Sequence, residues 1–315
     1  MCPVAVCAWR IAVWLGSLLP LLLLAQVPDA SPGLYSQATS RMLERSFPSP
    51  RVEYLLINVR SGETVAMRWP HAGRPIPVGS LLKPFVALAY GEMAASGASG
   101  FSPRTFPVVY CHGKEDGCWR AGGHGSLALE RALADSCNAY FLALARDLTA
   151  SGGSQSRGRD ALDHVSAVYG LPAAPDQGAG EGDRARTLIG LTPEWRVEPA
   201  ALAHAYGTLA TQSHNDVVSR LLNGMRLAAD PGGTAAKIGT HPGGGLAKTG
   251  TAPCVREGDH QACIASGDGL AVVLFPAEQP RFVLLVRRRG TTGAVAAEVA
   301  GNMLSTIEAT DGVTR

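Results

Sequence analysis

The sequence predicts a mixed α/β fold of the α+β kind, with an antiparallel sheet packed by helices and set beside a helical lobe. Three observations carry this. Strand-like apolar runs lie near both ends, at 52–59 and 64–68 and again at 246–252, 269–275 and 282–288. Helix-patterned segments fill the middle, so the strands are brought together from the two ends of the chain. The composition is globular, 46% hydrophobic and 17% charged over 315 residues, enough for one large domain or two small ones. The net charge of +2 gives no electrostatic pointer to nucleic acid.

Taken in order, 52–59 reads as a strand, Ser61-Gly62-Glu63 as its turn and 64–68 as the return strand. A Pro/Gly loop leads into Ser80. A helix over 80–95 follows, with Leu81, Phe85, Leu88 and Ala89 on its apolar positions. Pro84 fits only if it falls in the first turn, which places the helix start at Ser80. A single helical region is predicted over 126–148, loops over 152–158 and 172–182, and helices over 199–210 and 217–227. The three C-terminal strands end in a helix over 294–307. No internal repeat is present.

Residues 11–25 form an apolar run behind Arg10, broken by Pro20. It reads as a cleaved export signal or a short retained anchor in the cytoplasmic membrane, and residues 1–30 are set apart from a domain over 31–315 on this ground. Export permits disulfides among the seven cysteines. Cys111 with Cys118, and Cys254 with Cys263, bracket short polar loops and are expected to pair. Zinc is the alternative for the first pair, with His112 and His124 close in sequence. Cys137 would then be a free, buried thiol.

Three short strings carry chemistry: Ser80-Leu81-Leu82-Lys83, Ser136-Cys137-Asn138 and Lys248-Thr249-Gly250. A serine hydroxyl is a poor nucleophile until a base takes its proton. Lys83 lies three residues beyond Ser80, on the same face of a helix that starts there. It serves as that base only when neutral, and burial beside another cation favours the neutral form. Ser136 and Lys248 complete the cluster, with Ser136 relaying a proton. Asn138 offers an amide to the substrate backbone, and Lys248 a fixed positive charge to a substrate carboxylate. Each string alone is common, and a helix N-cap with a surface lysine is the ordinary fate of such a serine and lysine. Their order and context make the set specific.

With these motifs in place, the chain resembles the transpeptidase domain of penicillin-binding proteins, nearest the class B type, over roughly residues 50–310. Residues 118–142, 197–210 and the run from Gly224 to Ala252 resemble stretches around the second and third motifs. The resemblance implies a five-stranded antiparallel sheet flanked by helices, with a cleft between sheet and helical lobe. It implies Ser80 as the acylated nucleophile and Lys83 as base. Ser136 and Asn138 would line the cleft from the lobe, and Lys248, Thr249, Gly250 and Thr251 from the bordering strand. Backbone N–H groups of Ser80 and Thr251 would form the oxyanion hole. The implied ligands are peptidoglycan stem peptides ending in D-Ala-D-Ala and β-lactams that mimic them, the implied partners cell-wall synthesis proteins, and the place outside the cytoplasm. No cofactor or metal is expected. The alternatives are a β-lactamase, which needs a carboxylate to activate water and finds no E-x-x-x-N around Glu194, and a β-lactam or muropeptide sensor of the same fold.

Overall fold

The computed structural model describes residues 32–95, 106–150, 153–175, 181–253 and 267–311. The apolar run at 11–25 and the expected Cys254–Cys263 bridge lie outside these residues. Helix α1 (Pro32–Ser46) precedes β1 (Val52–Asn58) and β2 (Thr64–Arg68), which form a hairpin. A two-residue strand β3 (Ile76–Pro77) leads to a 3₁₀ turn over Gly79–Leu82 and then α2 (Lys83–Ala95). The lobe follows: β4 (Val109–Cys111), β5 (Gly125–Leu127), α3 (Leu129–Ala134), α4 (Asn138–Thr149), α5 (Gly153–Val168) and α6 (Glu181–Leu188). Then come β6 (Arg196–Val197), α7 (Pro199–Thr211), α8 (Asp216–Ala229) and the single turn α9 (Ala236–Gly239). Strands β7 (Leu246–Ala252), β8 (Asp268–Phe275) and β9 (Phe282–Arg288) and helix α10 (Gly293–Asp311) complete the described chain.

The main sheet has five antiparallel strands in the order β2-β1-β9-β8-β7, as the family resemblance implied. Its residues alternate between two apolar layers. Leu55, Ile57, Leu270, Val272, Leu274, Val283 and Leu285 join the layer that includes α2, α4 and α7. Tyr54, Leu56, Ala271, Val273, Leu284 and Val286 join the opposite layer, which includes side chains of α10 and α1. Burial on both faces explains why β1, β8 and β9 read as continuous apolar runs rather than alternating ones. Helix α2 is apolar almost all round because it is enclosed, with Phe85 set edge-on between Tyr169 and Tyr206.

Several expectations are corrected. The region 126–148 is not one helix: it opens with β5 and splits into α3 and α4 at Asp135–Cys137. Residues 153–158 begin α5 rather than a loop, and Glu181 begins α6. The chain around 46–52 is preceded by α1, which the sequence reading did not place. At the end of β9, Arg287 pairs with Asp268 and with Glu53, and Arg289 Nη2 meets Glu53 Oε1 at 2.6 Å. Glu53 is 2% exposed, so its charge is held by two guanidinium groups from β9 and the turn after it.

Candidate active site

Ser80 stands in the 3₁₀ turn and Lys83 begins the α-helix that continues it. At three residues per turn, positions three apart stack on one face, so the pair is brought to one side. The turn is fixed by Tyr206, whose hydroxyl donates to Leu81 O at 2.9 Å. Gly79 has φ +58, and a Cβ there would lie 2.6 Å from Thr251 O. Only glycine allows this approach, which brings the Ser80 turn against the end of β7.

The second motif occupies the break between α3 and α4. Ser136 N donates to Leu133 O and Cys137 N to Ala132 O, the paired bonds of a Schellman ending. The left-handed position that glycine usually fills is held by Ser136, at φ +51. That conformation disfavours a side chain by about 1–2 kcal/mol. It also turns three successive residues to different tasks: Ser136 to the cleft, Cys137 into the core, Asn138 to Lys83.

The third motif lies on β7, an edge strand of the sheet. Gly250 permits close packing, since a Cβ there would meet Val78 O at 2.8 Å. Lys248 Nζ donates to Ser136 Oγ at 2.8 Å and to Thr249 O at 2.7 Å. Lys83 Nζ donates to Ser136 O at 2.7 Å, to Ser136 Oγ at 3.3 Å and to Asn138 Oδ1 at 2.7 Å. Ser136 Oγ thus bridges two lysines from opposite sides of the cleft. Among the hydrogen bonds of the described residues, none joins Ser80 Oγ to Lys83 Nζ; catalytic contacts of this sort often close only when substrate binds.

Both lysines are fully buried. Burial lowers the Lys83 ammonium to about 7. Burial, and then the charge of Lys83, push Lys248 well below its ordinary value. Two ammonium groups facing one hydroxyl in a dry site disfavour each other, so at least one is neutral near pH 7. This departs from the fixed charge expected of Lys248, whose Nζ addresses Ser136 instead. Asn138 departs as well: its Oδ1 takes Lys83 and its Nδ2 donates to Gly117 O at 3.0 Å, so the amide holds the base in place.

Ser80, Ser136, Asn138, Thr249, Gly250 and Thr251 line one cavity of about 550 Å³. Thr251 Oγ1 accepts from Gly293 N at 3.0 Å, which ties the end of β7 to the start of α10. The cleft therefore joins sheet and lobe as the resemblance implied, with Lys83 and Lys248 buried beneath it.

The same architecture occurs in solved proteins. Penicillin-binding protein 2 of Pseudomonas aeruginosa superposes with a TM-score of 0.64 at 19% identity, over 86% of this chain and 76% of that one. The transpeptidase domain of penicillin-binding protein 3 of Burkholderia pseudomallei gives 0.60 at 18% identity, over 90% and 93%. The chain has the fold of a penicillin-binding-protein transpeptidase domain. Helicobacter pylori penicillin-binding protein 2, solved with MreC, gives 0.68 at 17% identity, and here the chain spans 63% of its length. No protein-family model matches the sequence. No curated protein matches it either.

Behind the second motif of this transpeptidase fold lies a cluster that the sequence reading held only as an alternative, and without Cys137. Cys111, Cys118 and Cys137 are free thiols, so the expected Cys111–Cys118 disulfide is absent. Their sulfurs and one His124 nitrogen all lie within 4.8 Å of one another. His124 Nδ1 is 3.6 Å from Cys111 Sγ and 3.4 Å from Cys118 Sγ, and Cys118 Sγ is 3.8 Å from Cys137 Sγ. A tetrahedral zinc with Zn–S of about 2.3 Å and Zn–N of about 2.0–2.1 Å places its ligands about 3.6–3.8 Å apart. The four residues therefore fit such an ion, against the expectation of no metal. His112 is not among them and pairs with Asp116 at 3.0 Å. The Cys118 thiol is lowered to about 4, chiefly by the hydrogen bond from Cys137, while Cys137 is raised. The signal in the sequence was Cys137 itself, which the motif reading had absorbed.

Proposed function

We propose that this protein is an acyl-serine D,D-peptidase, a transpeptidase or carboxypeptidase acting on stem peptides that end in D-Ala-D-Ala, and that β-lactams acylate Ser80. The observation that carries the reading is the convergence of Ser80, Lys83, Ser136, Asn138 and Lys248 on one cleft within the transpeptidase fold. Neutral Lys83 takes the Ser80 proton as Oγ attacks the scissile carbonyl, a role typically contributing ~10²–10⁴ in rate. The oxygen of the tetrahedral intermediate is held by the N–H groups of Ser80 and Thr251. Ser136, bonded to both lysines, passes a proton to the leaving amine. An amine or water then receives the acyl group. Cys111, Cys118, His124 and Cys137 hold a structural zinc that fixes the turn carrying Ser136 and Asn138 and takes no part in bond making.

A β-lactamase is the weaker reading. Among the described lining residues the only carboxylate is Asp135, which is paired with Arg131 at 2.9 Å. Glu194 is exposed and away from that lining. No unpaired carboxylate stands there to activate a deacylating water as a class A β-lactamase does, so the penicilloyl-enzyme is expected to be long-lived. The proposed substrate and the apolar run at 11–25 of the sequence support a location outside the cytoplasm. Among the described residues no helix is long and apolar enough to cross a membrane. Cell-wall synthesis proteins are its proposed partners, by analogy with the MreC complex of the H. pylori protein.

Purified protein incubated with a fluorescent penicillin should gain one covalent label that persists for many minutes. Ser80→Ala should abolish the mass increase. Labelling that survives this substitution would place the nucleophile elsewhere, and rapid loss of label would favour a β-lactamase.

A further inference from the structure

A second cavity, of about 1200 Å³, opens where β1 ends, β8 turns into β9 and α8 passes the start of β7. None of its lining residues lines the cleft. Four arginines and two glutamates stand in its walls. Two of the arginines are already matched: Arg220 holds Glu130, with Nη2 to Oε2 at 3.1 Å, and Arg226 Nη1 meets Glu278 Oε1 at 2.9 Å. Arg60 and Arg281 are exposed and form no ion pair among the described residues. The backbone fixes where they stand. Asn58 Oδ1 accepts from Arg60 N at 2.9 Å, and Val59 N donates to Arg281 O at 2.8 Å. The Arg281 guanidinium lies 5.7 Å from the centre of the Phe282 ring. The two turns are therefore joined, and they bring two unmatched positive charges to one cavity. On the α8 wall, Ser219 and Asn223 lie one turn apart, exposed, with side chains that bond to nothing among the described residues.

We propose that this cavity is a docking site for a short acidic segment of a partner protein. Carboxylates of the segment meet Arg60 and Arg281 as planar, paired hydrogen-bonding groups. Ser219, Asn223 and Gln279 serve its backbone amides. The size suits a peptide better than a small anion, since small-molecule pockets fall at about 300–1,000 Å³. A continuous polyanion would meet the wall carboxylates of Glu130 and Glu278 as well as the arginines, whereas spaced carboxylates avoid them. Helix α8 packs on α3, which leads to the Ser136 turn, and on β7, which carries Lys248. Gly224 makes the first of these contacts close, since a Cβ there would lie 2.9 Å from Glu130 O. A docked partner thus lies against the helix that supports both motifs. The site stands whether or not Ser80 is acylated.

A fluorescein-labelled short peptide alternating glutamate and serine, titrated with the full chain at low salt and read by anisotropy, tests this. Its glutamine counterpart is the control for charge. The acidic peptide should bind, more weakly as salt rises, and the glutamine peptide should not. Arg60→Glu with Arg281→Glu should weaken binding about tenfold, the size of two exposed ion pairs lost. Arg41→Glu with Arg45→Glu makes the same change of charge at exposed positions of α1 and should leave binding intact. In the wild-type protein, phenylglyoxal modification and peptide mapping should show Arg60 and Arg281 protected by the acidic peptide and Arg41 unprotected. No binding of the acidic peptide, equal loss in the two double variants, or no protection of Arg60 and Arg281 would overturn the site. Tighter binding of inorganic polyphosphate at the same arginines would overturn the choice of a protein segment.

Discussion

Lys83 Nζ and Asn138 Oδ1 lie 2.7 Å apart, bonded across 55 positions of sequence and buried beneath the cleft. Both ends of the Asn138 amide are engaged, because its nitrogen donates to Gly117 O. Asn138→Ala therefore removes a partner from a buried amine and from a backbone carbonyl. A stability loss of about 1–3 kcal/mol is expected. Acylation by benzylpenicillin should slow by about 10² or more, since the base loses its fixed position. Denaturant melts alongside acylation kinetics check both. Normal acylation would return Asn138 to a simple structural role.

Acylation should rise with pH and level off above about 7, as Lys83 loses its proton. The same shift bears on stability. The folded-state value lies below the unfolded value of about 10.4, so the unfolded chain binds the extra proton between the two. Stability from this group is therefore lowest below pH 7 and recovers as pH rises toward about 10.4. Acylation rates from pH 5 to 9 test the first statement. A flat profile would assign the base to another residue.

Ser136 occupies a backbone conformation suited to glycine. Ser136→Gly should change stability by no more than about 1 kcal/mol, since relief of the left-handed penalty offsets the hydrogen bonds lost by Lys83 and Lys248 and the extra freedom gained on unfolding. Acylation should fall at least ~10², because the hydroxyl that joins the lysines is gone. A melting temperature that holds while labelling collapses is the expected signature. Loss of both together would contradict it.

Protein purified without chelators should carry one zinc per chain. Removing it should lower the melting temperature and slow labelling of Ser80 together, since Cys137 lies between Ser136 and Asn138. Cys137→Ser should reduce metal content. Metal analysis and thermal melts decide the point. A metal-free protein with Cys118 and Cys137 joined as a disulfide would count against it.

Glu53→Gln leaves the Arg287 and Arg289 guanidinium groups without their shared buried carboxylate. Unfolding free energy should drop by about 3–5 kcal/mol. Urea melts measure this directly, and a drop under 1 kcal/mol would mean the pair is solvated in solution.

The sheet and the chemical motifs were legible because both follow short-range patterns. Strands 64–68, 246–252 and 282–288 match their predicted limits, as apolar runs bounded by turn residues. Ser80, Ser136 and Lys248 could be placed in one cleft from motif order, since a shared fold fixes which segments meet. What sequence could not carry was direction. Nothing local says that Asn138 faces Lys83 rather than substrate, or that Lys248 Nζ is enclosed, because both depend on how α2, α4 and β7 pack. The helix over 126–148 was drawn too long because Ser136 interrupts it without a glycine or proline to mark the break. Cys137 was set aside for the same reason, since its partners come from β4 and the loop after it.

The order of the strands has a bearing on how the chain folds. The middle position of the sheet belongs to β9, which pairs with β1 on one side and β8 on the other. The hairpin made first along the chain therefore waits for the last described strand before it has a strand neighbour. Contacts of such long sequence separation close slowly, after the entropy of a very large loop has been overcome. A chain halted before residue 282 lacks the centre of its sheet rather than an edge, and β1 and β2 form a two-stranded hairpin packed by α1 with no third strand beside it. Closure of the five-stranded sheet is thus a late event, which waits until nearly all of the chain has been made.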